Sequence, residues 1–297
     1  MNESLPRFSN SQITLWNRCR MAWNLSYVGK WEQKKKPQSL QMGSLVHDLL
    51  DDYYQGQIDG ERDSLSRHRN KLTTLSQDLE DSEALQNLSF AGGLIHRYIT
   101  EYALYEDAQY RPVASEQHYE VGMTTPEGRD YIFELYFDVL FEDRANGKLW
   151  MVDHKTHKSN KWTPTQIMMD PQLPSYAMAL RELLDIPIFG MTYNMLNTYD
   201  YKKPPPVEKL FLRESTYRTP EELDNITLEI GHAVDDILEN KDKVRRTLQR
   251  DCDRCRFQEP CLMGLKGMDM NLILEDNFKQ KGGRPQVEES NLDIRIL

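Results

Sequence analysis

Asp153, His154 and Lys155 close an apolar run, LWMV at 149–152. A strand that ends in a carboxylate and an ammonium two positions apart presents both on one face, because side chains alternate along a strand. A second strand-like segment at 131–142 contains Asp138, and Asn146-Gly147 between the two segments is a strong hairpin signal. A two-residue loop there pairs Ala145 with Lys148 and sets Asp138 opposite Lys155. A slip of two residues sets Asp138 opposite Asp153 instead. Either register gathers Asp138, Asp153 and Lys155 on one face, with the His154 side chain on the other and its carbonyl nearby.

Two carboxylates this close repel unless something neutralises them. A divalent cation that favours hard oxygen ligands, Mg²⁺ or Mn²⁺, does so more completely than one lysine. Such an ion binds a phosphate oxygen and acidifies its own water. The lysine offsets charge that builds up as a phosphodiester is attacked. An ordinary surface salt bridge is the competing explanation, and for Asp-x-Lys alone it is the better one. Three further features weigh against it.

The first is GSLVH at 43–47, which places His47 on a helix. A lone histidine on such a helix is more often a core residue than a ligand. The second is QLPSY at 172–176. Gln172 and Tyr176 stand at i and i+4 and share one helix face, and the prolines at 171 and 174 suit a helix start. The third is the cysteine set. Cys252, Cys255 and Cys261 form C-x2-C-x5-C, and Cys19 supplies a fourth thiolate with none left over. The last three lie among Asp, Arg, Gln and Glu, which is not a core composition, so a metal centre is favoured over buried thiols or a disulfide framework. Four thiolates suit zinc and iron–sulfur equally, and spacing does not choose between them.

The elements that must position these groups follow from the pattern along the chain. A helix with one buried side is expected at 9–28, a second at 42–54, and two or three charged helices within 62–108. Strands are expected at 113–123, 131–142, 149–155, 188–199 and 207–213, and helices at 163–185 and 219–248. This layout predicts an α/β class with a central mixed sheet flanked by helices, a helical insertion at about 57–110, and a polar tail from 278 to 297. One domain spanning 1–277 is expected. The 297 residues are 39% apolar, enough for a real core, and the net charge of -10 argues against indiscriminate coating of nucleic acid. Local basic stretches at 30–36 and 155–161 remain. No apolar run approaches a membrane span and no signal-peptide pattern opens the chain, so the expected compartment is the cytoplasm.

In order and spacing, these motifs resemble the RecB-like branch of the PD-(D/E)XK nucleases, whose fold is restriction-endonuclease-like. The matching elements are Gly43 to His47, Asp138, Asp153 to Lys155, and Gln172 to Tyr176. FSNSQITLWNRCRMAWNLSYV resembles the opening helix of that branch, and the likeness spans roughly residues 8–262. Relatives often carry Gly three residues before the strand aspartate, where this chain has Leu135; Glu142 and Asp143 are the alternative carboxylates. The resemblance implies that His47, Asp138, Asp153 and the His154 carbonyl bind the catalytic Mg²⁺ or Mn²⁺. It implies that Lys155 is the catalytic lysine and that Gln172 and Tyr176 position either that lysine or the DNA. Cys19 followed by C-x2-C-x5-C is similar to the iron-stapled members, the AddB-type helicase-nucleases and the CRISPR-associated RecB-like exonucleases. That likeness implies a [4Fe-4S] cluster on Cys19, Cys252, Cys255 and Cys261, joining positions separated by 232 residues.

The implied activity is a DNA exonuclease on single-stranded or end-bearing DNA. No G-x-x-x-x-G-K-[ST] motif is present, so any unwinding falls to a partner such as a helicase, or a recombination or CRISPR protein. The helices of 62–108 and the basic loop at 30–36 are candidates for guiding the strand. The rival reading is a catalytically silent nuclease-fold subunit that binds DNA or serves assembly, its metal centre structural.

Overall fold

The computed structural model describes residues 5–282 apart from 36, 62, 78, 159–162 and 186. In chain order the elements are β1 (Arg7–Ser9), α1 (Asn10–Arg18), α2 (Arg20–Trp23), β2 (Trp31–Gln33), α3 (Gln38–Ile58), α4 (Ser64–Gln77), α5 (Ser82–Arg97), α6 (Leu104–Glu106), β3 (Tyr110–Thr124), β4 (Asp130–Asp143), β5 (Leu149–His157), α7 (Pro164–Met169), α8 (Gln172–Leu184), β6 (Ile188–Asn197), β7 (Phe211–Thr216), α9 (Pro220–Asn240), α10 (Gln258–Leu265), α11 (Asn271–Asn277) and β8 (Phe278–Gln280). The expected α/β class with a mixed central sheet and flanking helices is what forms. Of the polar tail, 283–297 lie outside the described residues, as do Lys36 and 159–161 of the two basic stretches.

The chain divides into two compact units. The first draws on the described residues of Met1–Pro37, Gly122–Glu134 and Thr227–Asn291; the second draws on Gln38–Val121 and Leu135–Ile226. In the first unit β1 runs parallel to the opening of β4, Phe8 beside Phe133, and β2 pairs antiparallel with β8. Ser9 caps α1 by accepting from the Gln12 amide. The single helix expected over 9–28 is broken at Cys19, which adopts extended backbone between α1 and α2. Trp16 Nε1 and Arg20 both donate to Asp236.

In the second unit β5 is the inner strand. It pairs antiparallel with β4 and parallel with β6, and β7 closes on β6 antiparallel. The parallel β5–β6 pair requires a crossover, which α7 and α8 supply. α3 turns Val46, Leu49, Leu50, Tyr53 and Tyr54 toward Leu94, Ile95 and Tyr98 and toward Val139, Phe141 and Val152 of the sheet. That spacing is the apolar stripe of an amphipathic helix, and it fixes the rotation of α3 and so the direction of His47.

The β4–β5 turn departs from expectation. Val139 faces Val152 and Glu142 faces Leu149, so the loop holds four residues, 144–147, rather than two. The Asp143 carboxylate accepts from the Ala145 amide and the Asn146 side chain, and Asn146 Oδ1 accepts from Lys148. Gly147 closes the turn at φ +68, in the left-handed region. These side-chain bonds stabilise the longer loop, and the slipped register, with Asp138 level with Asp153, is the one adopted.

Candidate active site

Four elements of the second unit bring the sequence-predicted groups to one open cleft, lined among others by Gly43, His47, Asp138, Asp153, His154, Lys155 and Gln172. Asp138 and Asp153 stand on adjacent strands. Asp138 accepts from the His154 peptide N–H through one oxygen and lies 3.4 Å from His47 Nδ1 through the other. Gly43 brings α3 close to β5: a β-carbon there would already touch the Thr156 hydroxyl. His47 Nε2 sits 3.0 Å from the His154 carbonyl, so in this arrangement His47 occupies that carbonyl.

Lys155 is held from two sides. Its Nζ lies 2.7 Å from Asp153 Oδ2 and donates to Gln172 Oε1 at 2.7 Å. Gln172 Nε2 donates to Asp153 Oδ1 at 2.9 Å, closing the triangle. Asp170 fixes Gln172 in turn, accepting from its amide and from the Tyr193 hydroxyl. The Tyr176 phenol is buried beside Gln172 and the Tyr136 backbone, and that burial raises its pKa. Glu142 and Asp143 are engaged elsewhere, Glu142 with Arg111 and Asp143 with its turn.

Glu116 of β3 was not anticipated. Its Oε1 lies 3.3 Å from His47 Nδ1. His47, Glu116 and Asp138 offer ligand atoms that all fall within 4.8 Å of one another, a set able to hold a metal ion. Asp153 is outside that set, occupied by Lys155 and Gln172. The only unusual mark on Glu116 is its backbone, at φ +43. That kink within a strand turns the carboxylate toward α3, and nothing in the sequence around it announces this.

Three carboxylates, Asp138, Asp153 and Glu116, crowd one imidazole and one ammonium here. Burial opposes the His47 imidazolium, but Asp138 and Glu116 outweigh it and lift its pKa to about 10. Burial would raise Asp138, yet His47 and the His154 amide hold it below the ordinary range. Burial and then the charge of Asp138 push Asp153 to about 7, against the pull of Lys155. Burial raises Glu116 as well. The donors are oxygen-rich with one imidazole, a composition that fits Mg²⁺ or Mn²⁺.

Behind the site the His154 ring is buried and, by that burial, kept neutral with a pKa of about 3. It stacks on Tyr54 with planes within 9° and meets the Asn194 side chain at 2.8 Å. Asn194 leads to Arg213, which pairs with Asp107 and donates to Tyr98 at 2.6 Å.

In the first unit all four cysteines line one cavity of about 90 Å³, with Arg18, Arg246, Met21 and Phe257 among its other walls. Arg246 Nε is buried there without a hydrogen-bond partner. Among the described residues no three cysteine sulfurs approach one another within 4.8 Å. Four thiolates on one zinc, each at ~2.3 Å, would lie closer than that. The four thiols share this cavity without forming a preassembled ligand set.

Among the described residues no helix is long and apolar enough to cross a membrane. No curated protein matches the chain in sequence. A crystal structure of a provisionally assigned exonuclease from Eubacterium rectale is similar, at 14% identity over 84% of this chain and 87% of that one, with a TM-score of 0.48. Residues 7–262 match the PD-(D/E)XK nuclease superfamily, and the chain belongs to that superfamily.

Proposed function

We propose that the protein is a divalent-metal-dependent DNA nuclease acting as an exonuclease on single-stranded or end-bearing DNA. The observation that carries this reading is the Asp153–Lys155–Gln172 triangle set against Asp138, His47 and Glu116 on neighbouring elements. His47, Asp138 and Glu116 would hold Mg²⁺ or Mn²⁺, joined by Asp153 and the His154 carbonyl once their present partners yield. Bound there, the ion would polarise the scissile phosphate and lower the pKa of a water. The chain's own groups do the rest. Lys155, kept pointing into the cleft by Asp153 and Gln172, donates to the phosphate oxygen on which charge accumulates. Gln172 holds the lysine in place, with Tyr176 buried beside it. Water adds to phosphorus, the bond to one sugar oxygen breaks, and that oxygen takes up a proton.

A [4Fe-4S] cluster on Cys19, Cys252, Cys255 and Cys261 is part of this reading, supported by the shared cavity and its two arginines. So are a helicase or a recombination or CRISPR partner for duplex substrates, and a cytoplasmic location. The test is cleavage of 5′- and 3′-labelled single- and double-stranded DNA with Mg²⁺, Mn²⁺ or EDTA, comparing anaerobically purified protein with Lys155→Ala. Metal-dependent cleavage lost in the variant is expected, and the product ladder gives the polarity. Folded, iron-loaded protein that binds DNA without cleaving it would move the assignment to a silent binding subunit.

A further inference from the structure

Tyr136 stands two residues before Asp138 on β4, hence on the same face of the strand. Leu135 and Phe137 beside it are fully buried, whereas Tyr136 is 46% exposed. His118 of β3 stacks on it, ring centroids 4.1 Å apart and planes within 11°. His118 covers one face of the phenol ring, so the exposed area belongs to the other face and the edge.

The pair is built into the frame of the site. β3 carries Glu116 two residues before His118, and β4 carries Asp138 two residues after Tyr136. Tyr176, buried beside Gln172, lies against the Tyr136 backbone. At ~3.3 Å per residue, Tyr136 lies about 7 Å along the strand from Asp138. That is roughly two nucleotides at the ~3.4 Å rise of a stacked strand.

Resting on the nuclease reading above, we infer that Tyr136, backed by His118, is a stacking platform for a nucleobase one or two nucleotides from the scissile phosphate. A base inside a duplex has both faces covered by its neighbours, so the platform accepts an unpaired base of a single strand or a frayed end. Every base offers a π-face, so the contact carries little sequence preference. His118 fixes the tilt of the phenol ring before the strand arrives, which lowers the ordering cost of the stack.

The test is fluorescence anisotropy of labelled single-stranded oligodeoxynucleotides in a Lys155→Ala background, where binding is read without cleavage. Tyr136→Ala weakens binding about five- to a hundredfold, the range of one lost stack, and Tyr136→Trp restores it. An abasic residue walked along the oligonucleotide weakens binding at one position with Tyr136 present, and has no effect at that position in Tyr136→Ala. Should Tyr136→Ala fail to fold, the same walk on Tyr136 protein with and without His118→Ala decides. Unchanged binding in the alanine variant, or a walk that is flat or identical in both proteins, overturns the platform. If the protein with Lys155 intact still cleaves DNA, the nuclease reading survives that result. Absence of both DNA binding and metal-dependent cleavage would remove the nuclease reading and the platform with it.

Discussion

Loading a divalent cation at pH 8 should expel about one proton, and the source is His47. Its Nδ1 faces Glu116 at 3.3 Å and Asp138 at 3.4 Å, and its Nε2 faces the His154 carbonyl at 3.0 Å. With the pKa lifted to about 10, both ring nitrogens carry protons at pH 8. A cation that takes Nδ1 as ligand must displace one of them. Between pH ~7 and ~10 the apparent affinity should therefore rise about tenfold per pH unit, or ~1.4 kcal/mol. Below pH 7 Asp153 is protonated too, since burial and the charge of Asp138 set its pKa at about 7. If Asp153 joins the ion, the slope steepens toward two protons there. Calorimetric titration of Mn²⁺ into metal-free protein, in buffers of different ionisation enthalpy, counts the protons directly. His47→Gln should reduce the count at pH 8 to near zero. A wild-type enthalpy independent of buffer at pH 8 would refute the reasoning, because His47 would then be either neutral or not a ligand. The metal-free fold carries the matching signature. The raised His47 pKa contributes stability in full below pH ~6.5, lost as pH climbs toward 10. The raised Asp153 pKa acts in the same direction between pH ~4 and 7, so metal-free protein should melt lower as pH rises through these windows and metal-loaded protein should not.

Replacing Arg213 by Leu leaves the buried Asp107 carboxylate without its cation and should destabilise by about 3–5 kcal/mol in urea unfolding; adding Asp107→Leu should recover part of the loss. Gly190→Ala places a methyl on the Trp150 ring and should cost about 1–3 kcal/mol in the same assay, with no recovery from substitutions in the Arg213 network. On the proposed [4Fe-4S] assignment, anaerobically purified protein is brown and iron-loaded, and Cys255→Ser should lose both and melt lower, with the ellipticity of the folded state retained at low temperature.

Much of the site is legible in the sequence because it sits on patterned elements. The apolar run ahead of Asp153 declares a buried strand, and alternation then places Lys155 on the same face. The i, i+4 spacing of Gln172 and Tyr176 declares a helix face, and Pro171 marks its start. What is not legible depends on contacts between distant segments. The Asn146-Gly147 pair points to a two-residue loop, but Asp143 captures the turn with its own carboxylate and lengthens it. Glu116 reads like any strand glutamate, indistinguishable from Glu120, until a left-handed residue in β3 and the arrival of α3 set it against His47. Asp107 and Arg213 read as surface charges, 106 positions apart, and only the closed core makes them a buried pair.

The first compact unit is assembled from three separated stretches of chain, the last beginning at Thr227. Synthesis runs in one direction, so the whole of 38–226 has emerged before that last stretch begins to appear. The second unit can therefore collapse while the first is still incomplete, with Trp16 and Arg20 lacking Asp236 and Cys19 lacking the three other cysteines of its cavity. Contacts of such large sequence separation form late and slowly. The helices that carry Trp16 and Trp23 are made well before the segment that secures them, and their tryptophans stay uncovered until it arrives. The cysteine cavity itself closes only when residues 252–261 have joined Cys19, so it exists only in a chain translated through both.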